Sequence, residues 1–134
     1  MADDIDTDKW SGYTPEEMDL PTDLVERIRL VCSLLHLPVA ERHSMPGVAL
    51  AREEVWRPGE PADYVTVSWN VSDKLFDLAE AQGSEGRAGH LAGAFDAVEL
   101  ALADALRHGG LRVERDSESQ DWKVLVIDGP SPLD

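Results

Sequence analysis

The sequence predicts an α+β fold, in which a small antiparallel sheet of about four strands has helices packed on one face. One segment alternates apolar and polar residues with a period of two, and two longer segments repeat apolar residues at helical spacing. Turn-forming or polar residues join the strand-like segments in pairs. The predicted order is α-α-β-β-α-α-β-β, with one hairpin on each side of the second helical pair.

Two helices are predicted before the first strand. Thr14-Pro15-Glu16-Glu17 has the form of a capping box, so a one-turn helix begins there and ends before Pro21. A longer helix, from about residue 23 to 36, is capped by Thr22 and stopped by Pro38. Its apolar stripe is Leu24, Ile28, Val31 and Leu35, with Val25 and Cys32 beside it. Because further leucines widen the stripe, we expect this helix to be largely covered; they are Leu30, Leu34 and Leu37.

The first hairpin follows a loop at 39–46. Its strands are predicted at 47–56 and 64–71, and the Pro- and Gly-rich segment 57–61 forms the turn. The second strand alternates cleanly, which is typical of a strand with one buried face. The residues predicted on that face are Val65, Val67, Trp69 and Val71.

Two further helices precede the last hairpin. Ser72 can cap a helix at about 73–81, and a long helix at about 88–107 ends at Gly109-Gly110. The stripe of the long helix is Leu91, Phe95, Val98, Leu102 and Leu106. The last two strands are predicted at 111–116 and 122–127. The final strand is apolar on both faces except at Lys123, so it should be central in the sheet or covered on both sides.

Acidity is the most informative property of the composition. The chain has 27 Asp and Glu against 12 Lys and Arg, a formal net charge of −15 on 134 residues. This charge argues against direct binding to nucleic acid, which requires basic residues, and favours a basic protein partner. A halophilic host is a rival explanation of the acidity, because high salt screens self-repulsion.

Composition also suggests a compartment and a division of the chain. The single cysteine excludes an internal disulfide, and neither a signal peptide nor an apolar run of about 20 residues is evident, so we expect a cytoplasmic protein. Residues 1–13 form an acidic leader that we expect to be flexible, 14–130 a single domain and 131–134 a short tail.

The residues show no catalytic, cofactor or metal motif, so we expect no cofactor and leave enzymatic activity as an alternative only. The glycine-rich stretch before the long helix lacks the P-loop and dinucleotide patterns, and we interpret it as a linker, with Gly93 allowing close packing. Solvation or helix capping explains the histidines, which are His36, His43, His90 and His108. Cys32 is expected to be a buried apolar residue.

Eight residues are candidates for contact with a partner. They are Asp3, Asp4, Asp6, Asp8, Trp10, Tyr13, Trp56 and Leu100. Trp10 and Tyr13 either fold onto a partner or fasten the leader to the protein's own sheet, and these alternatives are equally supported. Leu100 projects opposite the stripe of the long helix. It is covered either by the helix beginning at Asp73, which the short connection favours, or by a partner such as a second copy of the chain.

These observations predict a non-enzymatic, acidic binding protein of the immunity, antitoxin, inhibitor, chaperone or adaptor kind. One alternative is a small-molecule site or small enzyme with a pocket between sheet and helices. Its mouth would contain His43, Arg87 or His90, and its wall the polar side of the second strand, formed by Tyr64, Thr66 and Ser68. Another alternative is a DNA mimic that presents two rows of carboxylates.

Replacing the leader aspartates Asp3, Asp4, Asp6 and Asp8 with Asn is expected to slow association with a basic partner and to flatten its salt dependence, because the steering field weakens. The measurement is the association rate constant at several ionic strengths. An unchanged rate constant would contradict steering by the leader.

Overall fold

A computed structural model describes residues 19–40, 45–52, 62–82, 91–118 and 120–134. Within these ranges the chain forms three helices and a four-stranded antiparallel sheet, which confirms the predicted α+β class. The helices are α1 (Thr22–Leu34), α2 (Asp73–Gln82) and α3 (Leu91–His108). The strands are β1 (Gly47–Ala51), β2 (Val65–Asn70), β3 (Leu111–Arg115) and β4 (Trp122–Ile127). The leader, the helix predicted at 14–17 and the turn predicted at 57–61 lie outside the described residues.

Both predicted hairpins are present, and they join through β2 and β4. The strand order is β1-β2-β4-β3, with every neighbouring pair antiparallel. Val65 of β2 lies opposite Val124 of β4, so the apolar last strand is central, as its composition predicts. It is not covered on both sides, because Val126 is 46% exposed.

A β-bulge explains the change of side along β4. Val113 pairs with Val124, but the preceding residue of β3 pairs with Val126, so Leu125 is an extra residue opposite no partner. After the extra residue the alternation reverses, and Ile127 rather than Val126 packs against the core. A sequence with apolar residues at both positions does not reveal this reversal.

Helices α1 and α3 pack on one face of the sheet and enclose a single hydrophobic core. The strand residues in this core are Val48, Leu50, Val65, Val67, Leu111, Val113, Trp122 and Val124. In β2, β3 and β4 they alternate with less buried residues, which is the period-two pattern of a strand with one covered face. Strand β1 does not alternate, because Ala49, between Val48 and Leu50, is buried as well. Helix α2 contacts α3.

Local chemistry sets the ends of α1. Thr22 does not cap it, because Thr22 is the first helical residue and Pro21 occupies the N-cap without a side-chain hydrogen bond. At the other end His36 adopts a left-handed conformation with φ 59°, and the Leu37 N–H donates to the Cys32 carbonyl. This is the geometry by which many helices end, and Pro38 follows it.

The predicted apolar stripes are buried over only part of their length. In α3, Leu102 and Leu106 are buried but Val98 is 38% exposed. In α1, Leu24 to Cys32 supply the buried positions, whereas Leu34 and Leu35 are exposed, so the expectation of a largely covered helix was wrong at its C-terminal end. Helical period predicts which residues share a face, but not how far along the helix the core extends.

Helix α2 begins where the sequence predicts it. The Ser72 hydroxyl accepts a hydrogen bond from the Leu75 N–H at 3.3 Å, which is the expected cap. Only Ala79 is buried in this helix, and three of its apolar side chains are exposed, namely Leu75, Phe76 and Leu78.

The turn between α3 and β3 is closely packed against α1. Gly110 has φ +89°, which favours glycine, and a Cβ at Gly109 would lie 2.3 Å from Val31 Cγ2 of α1. The Arg27 side chain of α1 holds the same turn, because its Nη1 donates to the carbonyls of Gly109, Gly129 and Pro130 at 3.0, 3.2 and 3.2 Å. Gly93 is different: among the described residues a Cβ there would meet nothing within 4 Å, so the predicted close packing at Gly93 is not found with any of them.

Two glycine substitutions should therefore act in opposite directions. Gly109→Ala is expected to lower the free energy of unfolding by about 1–3 kcal/mol, because its Cβ would collide with Val31. Gly93→Ala, in open space within α3, is expected to raise it by about 0.5 kcal/mol through helix propensity. Urea unfolding followed by circular dichroism measures both. Equal effects of the two substitutions would contradict the close approach at Gly109.

Candidate functional site

An apolar groove opens between the C-terminal end of α1, the end of β2 and the middle of α3. Four of its lining residues come from α3, namely Val98, Ala101, Leu102 and Ala105. The others are Leu35, Leu37 and Trp69. Its volume is about 270 Å³, and every lining side chain is aliphatic or aromatic. Leu35 is 52% exposed, so the groove is part of the surface rather than of the core.

The spacing along α3 explains the lining. Val98, Ala101, Leu102 and Ala105 follow the i, i+3, i+4, i+7 pattern of one helix face. Ala101 and Ala105 have short side chains, so this part of α3 leaves space where larger residues would fill the groove. The two helices meet closely at Gly109 and Val31, and the groove lies further along both.

Glu99 engages the backbone of β2 beside the groove. Its Oε2 accepts a hydrogen bond from the Trp69 N–H at 2.9 Å. Strand β4 pairs with β2 only from Val65 to Val67, so the edge of β2 beyond Val67 lacks that neighbour. The carboxylate of Glu99 therefore occupies a main-chain donor at an open strand edge and brings a negative charge next to Trp69.

The outer edges of the sheet are engaged in a similar way. On β1, the Val48 N–H donates to the Pro38 carbonyl and the Val48 carbonyl accepts from the Ala40 N–H, both at 2.8 Å. On β3, Nε and Nη2 of Arg107 donate to the Val113 carbonyl at 3.1 and 2.9 Å. These contacts occupy main-chain groups to which another strand would otherwise bind.

Basic and acidic side chains are used differently in the described part of the chain. It contains eight Lys and Arg, and seven of them make an intramolecular contact: Arg27, Arg29, Arg52, Arg107, Arg112, Arg115 and Lys123. The same ranges contain 16 Asp and Glu. Three carboxylates share one exposed face of α2 at i, i+4 and i+7, namely Asp73, Asp77 and Glu80. The surface charge available to a partner is therefore mainly negative.

Most of the sequence-predicted contact residues lie outside the described residues. These are Asp3, Asp4, Asp6, Asp8, Trp10, Tyr13 and Trp56. Leu100 is described and is 52% exposed, so α2 does not cover it and the favoured intramolecular packing was wrong. At about 100° per residue, Leu100 is about 200° from Val98 around α3, so it does not line the groove.

The alternative of a pocket on the polar side of β2 finds no support in this groove. The lining residues do not include Tyr64, Thr66 or Ser68. His43, Arg87 and His90, expected at the mouth of such a pocket, lie outside the described residues. Among the described residues, no group of three or more His, Cys, Asp or Glu has the arrangement of a metal site. No helix in these ranges is long and apolar enough to cross a bilayer.

Sequence analysis missed the groove because it assigned four of its residues to the core. Leu35, Val98 and Leu102 belong to the predicted helix stripes, and Trp69 belongs to the predicted buried face of the second strand. One signal was present: both helices carry more apolar residues than one core-facing stripe requires. An apolar arc wider than a single core face indicates a second contact surface.

Comparisons of the chain with models of known protein families, with curated proteins and with solved structures found no significant match. The function is therefore argued from the groove and the charge distribution.

Cys32 lies on the buried face of α1, and burial raises the pKa of its thiol from the ordinary 9.0 to about 11. A folded-state pKa above the unfolded one means that the thiol stabilises the fold below about pH 9 and loses this contribution as pH rises to 11. We expect the free energy of unfolding to fall by up to about 3 kcal/mol over that interval.

The measurement is urea unfolding between pH 8 and 11. Cys32→Ala is the control, because other groups titrate there too and only the difference between the two proteins reports the thiol. Parallel pH profiles would contradict the shift.

Proposed function

We propose that this chain is a non-enzymatic, acidic protein-binding module that engages a basic surface on another protein. Immunity or antitoxin proteins, inhibitors, chaperones and adaptors act in this manner. The observation that carries the proposal is the distribution of charge. Seven of eight described basic side chains make contacts within the chain, those of Arg107 and Arg112 at its surface, and the carboxylates on α2 lie exposed on one face. Complementary charge accelerates association and selects the partner.

The apolar groove supports a binding role over a purely environmental origin of the acidity. High salt in the cell would favour a uniformly acidic surface, but it gives no reason for Leu35 and Val98 to remain exposed beside it. Interfaces that last combine such an apolar centre with a polar rim. The proposed compartment is the reducing cytoplasm, in keeping with a single, buried cysteine.

Affinity capture from native lysate at low and at high salt tests the proposal. A tagged full chain is expected to retain one or a few basic proteins at low salt and to lose them at high salt, because screening removes the electrostatic attraction. Mass spectrometry identifies the retained proteins.

An unrelated tagged protein of similar net charge is the control, since it shows which basic proteins any acidic surface would retain. A variant with Asp73→Asn, Asp77→Asn and Glu80→Gln should retain less than the unaltered chain. Recovery no greater than that of the control protein at low salt would contradict the proposal.

A further inference from the structure

The groove is suited to side chains rather than to a small molecule. Small-molecule sites usually measure about 300–1,000 Å³ and contain a few polar groups that orient the ligand. This groove measures about 270 Å³, and its lining residues are aliphatic or aromatic. A surface of this kind binds the apolar anchors of a protein segment, as the buried centre of an interface does.

The partner segment is expected to be helical rather than extended. An added strand needs free main-chain groups at a sheet edge, and three such places are already engaged. Glu99 occupies the Trp69 N–H beside the groove, the segment at 38–40 pairs with β1, and Arg107 binds the Val113 carbonyl of β3. A helix needs only side-chain contacts, which the groove offers along one face of α3.

The charge around the groove indicates which residues should lie beside the apolar anchors of the partner segment. Among the described residues, no Lys or Arg lines the groove, and the Glu99 carboxylate lies 2.9 Å from the backbone nitrogen of Trp69, a lining residue. The whole chain carries a net charge of −15, so a second copy would be repelled and a basic segment attracted.

We propose that the groove formed by Leu35, Leu37, Trp69 and α3 receives an amphipathic helix of a partner protein, with apolar anchors at i, i+3 or i+4 and with Lys or Arg beside them. This inference rests on the proposed acidic binding function and assigns it a docking surface. The apolar anchors supply the lasting contact, and the acidic surface supplies attraction and orientation.

The test uses a fluorescently labelled amphipathic peptide of Leu and Lys with one Trp, and a second peptide in which Glu replaces every Lys. Binding to the full chain is measured by fluorescence anisotropy at low and moderate salt. Backbone amide shifts in NMR spectra then locate the bound peptide, with the largest changes expected at Ala101 and Ala105.

Two variants separate the groove from the general acidity. Val98→Gln puts a polar side chain in the groove, and Val126→Gln makes the same change at an exposed valine of β4 that does not line it. Neither changes the net charge. We expect Val98→Gln to weaken binding of the Leu/Lys peptide about tenfold and Val126→Gln less than about twofold. Circular dichroism verifies folding, and Ala101→Gln replaces Val98→Gln if that variant does not fold.

Each outcome has one meaning. If the Leu/Lys peptide binds in a salt-dependent manner and Val98→Gln and Val126→Gln weaken binding equally, the groove is not the docking surface. The proposed acidic binding function would still stand. If the Glu peptide binds as tightly as the Leu/Lys peptide, the partner segment does not need Lys or Arg beside its apolar anchors. No binding of either peptide at millimolar concentration would overturn the inference, and lysate capture would still test the proposed function. If the chain dimerises in a concentration-dependent manner and Val98→Gln abolishes the dimer, a second copy occupies the groove. That result would also overturn the inference.

Discussion

The close junction between α1 and the turn that follows α3 is the constraint on which the rest of the described fold depends. Arg27 reaches three carbonyl groups there, two of them at the end of the chain that follows β4. Hydrogen bonds from a charged donor are the stronger ones, and each of these links segments far apart in sequence. Gly109 permits the approach of Val31, which a larger residue would prevent. One helix, one turn and the segment that follows β4 are thereby held together.

This junction explains where the core ends and the groove begins. Leu102 and Leu106, near the C-terminal end of α3, are buried. Val98, further from that end, is partly exposed. In α1 the residue that meets Gly109 is buried, and Leu35, one turn further on, is exposed. The helices are thus in contact at the junction and further apart beyond it. Trp69 of β2 is one of the residues that line the groove between them. The groove is a consequence of how the helices are joined.

The sequence carried enough information for the elements and for most of the core. Val65 and Val67 alternate as a half-buried strand must, and Ser72 and the pair Gly109-Gly110 give the helix boundaries through chemistry that acts within a few residues. The apolar composition of β4 predicted its central position, but the sequence did not show that β2 rather than β1 is its neighbour, because local patterns do not specify which strand of one hairpin pairs with the other hairpin. Periodicity also does not show which of Val98 and Leu102 is buried, because both lie on the apolar face of α3. Only their exposure in the folded chain distinguishes them.

The acidic charge and the exposed apolar groove have opposite effects on contact between two copies of the chain. An exposed apolar face favours self-association, because two copies can bury it against each other. A net charge of −15 opposes that contact, and the repulsion is strongest where a carboxylate such as that of Glu99 lies beside the groove. A basic segment meets the opposite situation, since its charge is attracted and its apolar residues find an open surface. On the proposed function, the acidic charge that opposes contact between two copies also favours a partner of opposite sign.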